Sequence, residues 1–330
     1  MVHGTSPMPS AAPVTSMVSG YSLMTGWGEG LHSLPANVRL AAHGCRVLPV
    51  STPTCTVERL RRATRECVLA VTAVEQAVAR SRLTVRELMG PRTALVYTSA
   101  SAYAAANWAF LQENKGQALY FPYTAPSAVP GEVTIQFGLT GPYLSFLSGA
   151  NAGIEALWHA ATLLTTDQCD RALVLGVETF MECADLFAAG RWLLSAPLVE
   201  AVTCLILERH TSLSEVVYRA GNDTHGLTAL EAGLDGQVPT AVYLCLPTTS
   251  DGHRTAQRLQ ARWPDVPMVV MSDRVGTCLA CTPLIALLAS LTEVPNGPVL
   301  FVSRWWNVWS VLRWPAMVRE ASSHSAREEA

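Results

Sequence analysis

Chemistry is most readily placed in residues 138–157, GLTGPYLSFLSGANAGIEAL. A short apolar strand, Tyr143–Leu147, runs through Ser148-Gly149 straight into an apolar helical pattern. A strand–elbow–helix of this kind sets a nucleophile at the positive end of a helix, where developing negative charge is stabilised. The residue at the apex is Ala150, whose methyl group can neither attack, donate nor accept. The elbow is present and the nucleophile is not.

Other reactive residue types are scattered. Cys278 and Cys281 form a CxxC, but no second cysteine pair or clustered histidine completes a metal or redox site, so they read as helix packing. His159 follows the elbow on its helix and reads as a satisfied core or surface histidine. His253, in SDGHRTAQRL, reads as part of a helix start. Asp223 and His225 lie in a polar, solvated stretch, and Cys204 in an apolar, inert one. Trp305, Trp306 and Trp309 crowd one short segment and read either as an interface or ligand surface or, more simply, as filling for an interior space. No metal or cofactor is expected.

The rest of the chain must position these residues. Its 330 residues suffice for one large core or two modest ones. Apolar residues make up 49% and charged ones 15%, the balance of a globular protein rather than a disordered one. A net charge of −3 gives no footprint for nucleic acid or an acidic membrane surface. No apolar run approaches the roughly 18–20 residues of a membrane-crossing helix. The opening MVHGTSPMPSAAPVTS lacks a basic stretch followed by an apolar one, so no secretory signal is expected. Nine cysteines without framework spacing suggest reduced thiols in a cytoplasmic protein.

Along the chain, strand and helix signals alternate. Residues 1–16 form a loose tail and 316–330 another. A strand opens at 17–19, and the period and length of 57–79 predict a helix. Residues 92–98 read as a strand, 102–114 as a helix, 120–130 as a loop rich in proline and aromatics, and 132–137 as a short helical piece. Buried strands follow the elbow at 171–177 and 201–208. The polar stretch 211–239 reads as a linker. Beyond it, strands at 241–246, 268–271 and 299–302 alternate with helices near 253–262 and 280–291. This grammar predicts an α/β fold with mixed sheets covered by helices.

In order and spacing these segments resemble the β-ketoacyl synthases of the thiolase fold over nearly the whole chain. VSGYSLMTGWGEGL (18–31) resembles the family's opening strand and glycine turn, and GEVTIQFGLTGPYLSFLSGANAGIEALWHAATLL (131–164) its nucleophile region. DRALVLGVET (170–179) resembles the buried strand that follows, LFAAGRWLLS (186–195) the helix ending in Leu-Ser, and LVEAVTCLILE (198–208) the last strand of the first half, with Glu200 and Glu208 in familiar places. The resemblance implies a thiolase-like fold of two pseudo-repeated α/β halves, 17–210 and 240–315. Each half would carry a mixed five-stranded sheet, the sheets sandwiching helices, with the second half shortened.

That family's chemistry uses a cysteine that takes an acyl chain from a carrier protein. Two histidines stabilise the charge formed on decarboxylation, a lysine supports them, and a Gly-Phe-Gly-Gly loop closes the pocket. Carried over by position, the cysteine falls at Ala150. The first histidine motif falls at Pro247-Thr248-Thr249-Ser250, the second at Gly276-Thr277, and the lysine near Ser272. The glycine loop falls at Arg304-Trp305-Trp306-Asn307-Val308-Trp309. The family's Arg-Asp-Gly-Phe excursion after Ser195 is missing, and the crossover from Glu208 to Pro247 is short.

A blank homologue with an intact first half resembles the chain length factor of type II polyketide systems, particularly its smaller members in systems making highly reduced chains. The resemblance implies a non-catalytic subunit that forms a heterodimer with a ketosynthase, meets the acyl carrier protein through that complex, and shapes the tunnel of the growing polyketide. Its partner-facing wall would comprise Trp108, Phe110, Leu111 and Gln112 on a helix, and Tyr120, Phe121 and Tyr123 on the following loop. The strand carrying Tyr143, Ser145 and Leu147 would pair across the subunits, since an uncovered apolar edge invites aggregation. Core packing is the competing role for Trp108 and Leu111. The alternatives are a divergent thioesterase or acyltransferase, for which no Ser/Cys–His pair can be assembled, and a stand-alone acyl-binding scaffold.

Overall fold

Two β-sheets organise the chain. The computed structural model describes residues 17–54, 57–112, 121–181, 184, 196–222, 238–246, 250–293, 297–305 and 308–315. The first half supplies β1 (Val18–Thr25), β2 (Gly28–Glu29), β3 (Val47–Leu48), β4 (Thr93–Ser99), β5 (Tyr143–Leu147), β6 (Arg171–Glu178), β7 (Leu198–Val199) and β8 (Ala201–Glu208). Then come β9 (Val217–Asn222), β10 (Ala241–Cys245), β11 (Met268–Val270), β12 (Val299–Trp305) and β13 (Val308–Trp314). One sheet has the order β2-β1-β8-β6-β4-β5 and the other β11-β10-β12-β13-β9. In the first, β4 runs parallel to β5 and β6 while β6, β8 and β1 alternate in direction. In the second, β10 is parallel to β11 and β12, and β13 is antiparallel to β12 and β9.

The helices are α1 (Val38–Ala41), α2 (Arg65–Ala79), α3 (Val85–Leu88), α4 (Ala102–Gln112), α5 (Ala128–Phe137), α6 (Ala150–Thr165), α7 (Ser250–Arg262), α8 (Met271–Arg274) and α9 (Thr282–Glu293). Their placement follows from the strands. Every residue of β4 is buried, as is all but the first of β6, so both faces of the first sheet need cover. Ala94 and Val96 point into a core shared with Ile154 and Leu157 of α6, Leu284 and Leu288 of α9, and Phe301 and Leu312 of the second sheet. Leu95 and Tyr97 point the other way, onto Leu69 and Val74 of α2 and Val133 of α5. The outer face of the second sheet, with Val242 and Leu244, packs on Leu259 of α7. The result is five layers, helices–sheet–helices–sheet–helices, with α6 and α9 in the middle.

Several expectations are corrected. The first sheet has six strands rather than five, because the chain turns at Trp27 and β2 pairs back onto Met24 and Thr25. Part of the expected linker 211–239 is structured: Thr211–Glu215 is a 3-10 turn and Val217–Asn222 is the edge strand of the second sheet. Pairing with β13 and the stacking of Tyr218 on Trp158, 4.9 Å between ring centroids, hold that strand in place. The helix expected over 57–79 is broken, since Glu58–Arg62 is a 3-10 turn and Thr64 is extended before α2 begins. The loop expected over 120–130 contains the 3-10 turn Phe121–Thr124 and the start of α5, whose first turn holds Pro130, a position where no N–H is missed. α5 ends at Gly138, left-handed at φ 62°, whose N–H caps the Thr134 carbonyl. The segment aligned with a glycine loop is instead the closed end of the β12–β13 hairpin, with Trp305 opposite Val308. The segment expected as a helix at 186–195, together with Asp223 and His225, lies outside the described residues.

Candidate functional site

The elbow is built as the sequence implies. β5 leads through Ser148 and Gly149 into α6, and Gly149 caps the helix at φ −70°, ψ −146° without a side-chain hydrogen bond. Ala150 is buried, and it lines a cavity of about 30 Å³ with Cys245, Leu246, Ser272, Gly276, Thr277, Leu279, Thr282 and Trp305. Ala150, Ser272 and Thr277, the residues expected at or near the family's cysteine, lysine and second histidine, all line this one cavity. Pro247 and Asn307, expected at the remaining two devices, lie outside the described residues, but Leu246 and Trp305, one and two positions before them, line the same cavity.

The cavity offers little reactive chemistry. Its volume suits one or two water molecules, far below the several hundred Å³ of an acyl or drug-sized pocket. Burial pushes the Cys245 thiol far above the ordinary range, so it stays neutral and non-nucleophilic. The Thr277 hydroxyl is buried and has no hydrogen-bond partner among the described residues, so it suits an ordered water. Cys278 and Cys281 sit in the central core, and the Cys281 thiol donates to the Ala201 carbonyl at 3.3 Å.

Buried carboxylates hold the frame around the elbow. Glu178 accepts from the N–H groups of Ala100 (2.8 Å), Ser101 (3.0 Å) and Ala280 (3.0 Å) and from the Ser101 hydroxyl (2.5 Å). It thus ties the start of α4 to the segment that leads into α9. Burial lifts its pKa to about 7, against the pull of those hydrogen bonds. Glu200 accepts from the N–H groups of Val50, Phe180 and Met181 and pairs with Arg65. Burial alone would raise its pKa, but the Arg65 guanidinium and the backbone N–H groups hold it below the usual range. Gly276 is needed for space and conformation: its φ is 89°, and a Cβ would lie 2.5 Å from Val199 Cγ2. Thr277 is tied to the short β3–β7 layer by its N–H to the Pro197 carbonyl at 2.9 Å.

The residues expected on the outer wall occupy a different region. α4 is apolar on all sides, yet Trp108 and Phe110 are only half-buried and Leu111 is 68% exposed. The side chain of Gln112, and all of Tyr120, lie outside the described residues. Phe121 is 64% exposed, with its ring 5.9 Å from that of Phe110. Tyr123 is half-buried, and its hydroxyl donates to Glu132 at 3.2 Å. β5 is the terminal strand of its sheet, with Tyr143, Ser145 and Leu147 all exposed on one face. The alternate residues Leu144 and Phe146 pack on the central core. Sequence reading missed Ile135 of α5 and Met89, both largely exposed. It also missed that His159 stacks on Phe146 at 4.9 Å, where burial lowers its pKa.

No curated protein matches the chain by sequence. Among solved structures it is similar to a type II PKS acyl-carrier protein in complex with its ketosynthase bound to the hexaketide, with TM-score 0.72, 16% identity and coverage of 91% of this chain and 99% of that one. It is also similar to the ishigamide ketosynthase/chain length factor, at TM-score 0.71, 17% identity and coverage of 92% and 99%. A β-ketoacyl synthase from Burkholderia phymatum STM815 follows, at TM-score 0.70, 13% identity and coverage of 92% and 100%. At such identities the likeness is one of fold. Among the described residues no helix is long and apolar enough to cross a membrane. Residues 53–199 match the family described as Beta-ketoacyl synthase, N-terminal domain, and the chain as a whole has the thiolase-like ketosynthase fold.

Proposed function

We propose that this chain is the non-catalytic subunit of a heterodimer with a ketosynthase in type II polyketide biosynthesis, and that it shapes the acyl tunnel that sets chain length. The observation that carries this is the convergence of Ala150, Ser272 and Thr277 on one cavity too small for an acyl chain. A fold kept while its reactive positions are blank has a remaining use as a scaffold. The uncovered edge strand Tyr143–Leu147 and the half-exposed α4 fit an obligate partner better than solvent. The carrier protein and the growing chain would be met through that partner. Two of the solved structures of this fold are of a ketosynthase with its carrier protein and of a ketosynthase/chain length factor.

Co-expression with a type II ketosynthase subunit tests the proposal. A 1:1 complex is expected, with lower stability when the chain is made alone. A stable, soluble monomer that ignores ketosynthases sinks the idea, as does turnover of acyl thioesters by the chain by itself. Ala150→Cys is expected to gain no condensing activity, because the positions aligned with the histidines would still be filled by other residues.

A further inference from the structure

We infer that Trp305 is a built-in plug that occupies the mouth of the elbow and shuts this subunit's own α6 N-terminus to any acyl thioester carried on a thiol arm. Three observations converge on it. First, the indole lies directly on Gly149: a Cβ there would sit 2.4 Å from both Cδ2 and Cε3 of Trp305. Gly149 sits at φ −70°, ψ −146°, and the room its missing side chain leaves is taken by the indole. Second, the same indole lines the cavity beside Ala150.

Third, the hairpin that carries Trp305 is latched to the first turn of α6. Asn151, the residue after the blank apex, is buried; its Nδ2 donates to the Val308 carbonyl at 3.0 Å and its Oδ1 accepts from the Ser303 hydroxyl. Ser303 and Val308 lie on the two strands of one hairpin, on either side of Trp305. A single side chain therefore fixes both strands over the elbow. The indole replaces a loop by a wall, and the water-sized cavity is what remains beneath it. Under the partner role proposed above, the plug confines the acyl chain to the ketosynthase side, but the inference itself rests on packing alone.

The test is the accessibility of position 150 in the full-length chain. Ala150→Cys places a thiol at a helix N-terminus, where its pKa falls and its reactivity rises if reagent can reach it. With Trp305 in place, alkylation of the introduced thiol by iodoacetamide, read by peptide mass spectrometry, is expected to be as slow as that of the buried Cys278 and Cys281. Trp305→Gly in the same background is expected to speed it by at least about tenfold, the equivalent of 1.4 kcal/mol of protection. Millimolar free indole is expected to restore protection. Labelling of the introduced thiol at the rate of the exposed Cys45 while Trp305 is present overturns the inference, as does an unchanged rate in Trp305→Gly. If Trp305→Gly also exposes Cys278 and Cys281, the fold has opened, and the Ala150→Cys chain alone decides by the same two reference rates. These outcomes are independent of whether a ketosynthase binds.

Discussion

The elbow and the outer face of the first half are opposites built from similar residues. Both are rich in aromatic and aliphatic side chains. At the elbow they are turned inward: Trp305 covers Gly149, and Asn151 finds partners on both strands of the hairpin. On the outer face some are turned outward: Leu111 of α4, Phe121 of the turn before α5 and Ile135 of α5 are each more than 60% exposed. Apolar surface left uncovered costs about 25 cal/mol per Å² relative to burial, so a contiguous patch marks a contact surface more often than chance. The difference teaches that side chains of the same kinds are buried at the elbow and left uncovered on the outer face, the contrast on which the proposed pairing with a ketosynthase rests.

The contrast makes the interior sensitive to substitution and the outer face tolerant in the isolated chain. The largest effect is expected from Arg65→Ala, which leaves the fully buried Glu200 carboxylate without its ion partner. Loss of about 3–5 kcal/mol in urea unfolding is the expectation, and a loss below about 1 kcal/mol would show that the frame does not depend on this pair.

Next is a pH effect. The Glu178 pKa rises from 4.5 unfolded to about 7 folded, so between those values the folded state holds a proton that the unfolded state has released. Stability therefore falls as pH rises through this window and levels off above it, by up to about 3 kcal/mol. Glu178→Gln should flatten that slope; a wild-type chain equally stable at both ends of the window contradicts it.

Smaller again, Gly149→Ala should cost about 1–3 kcal/mol by overpacking against the indole. Combining it with Trp305→Gly should recover part of the loss, since the two share one contact. Smallest is the effect of Ile135→Lys or Leu147→Glu on the chain's own unfolding, expected within about 0.5 kcal/mol. The same substitutions should abolish co-purification with a ketosynthase if this face is the interface. A large stability loss with pairing intact would reverse the comparison.

Much of the first half was legible because its signals are local. β4, β6 and β8 are continuous apolar runs, and the period of α6 is unbroken. β9 was not legible: VYRAGN has mixed polarity, and it becomes a strand by pairing with β13, almost a hundred residues on. The break before α2 was missed because residues 58–62 share the helical period but bury only Leu60. The hairpin around Trp305 was missed because a glycine loop was expected there, and strand pairing depends on the facing chain.

By itself the sequence determined the elbow, the blank apex at Ala150, the alternation of strands and helices and the apolar character of α4 and β5. Each of these is written in residue type and short-range period. The tertiary structure alone decided that Ser272, Thr277 and Trp305 meet Ala150, that Asn151 latches the hairpin, and which apolar residues end up outside. Those facts depend on the packing of segments far apart in the chain, and hydrophobicity says that a side chain prefers burial without saying which neighbour will bury it.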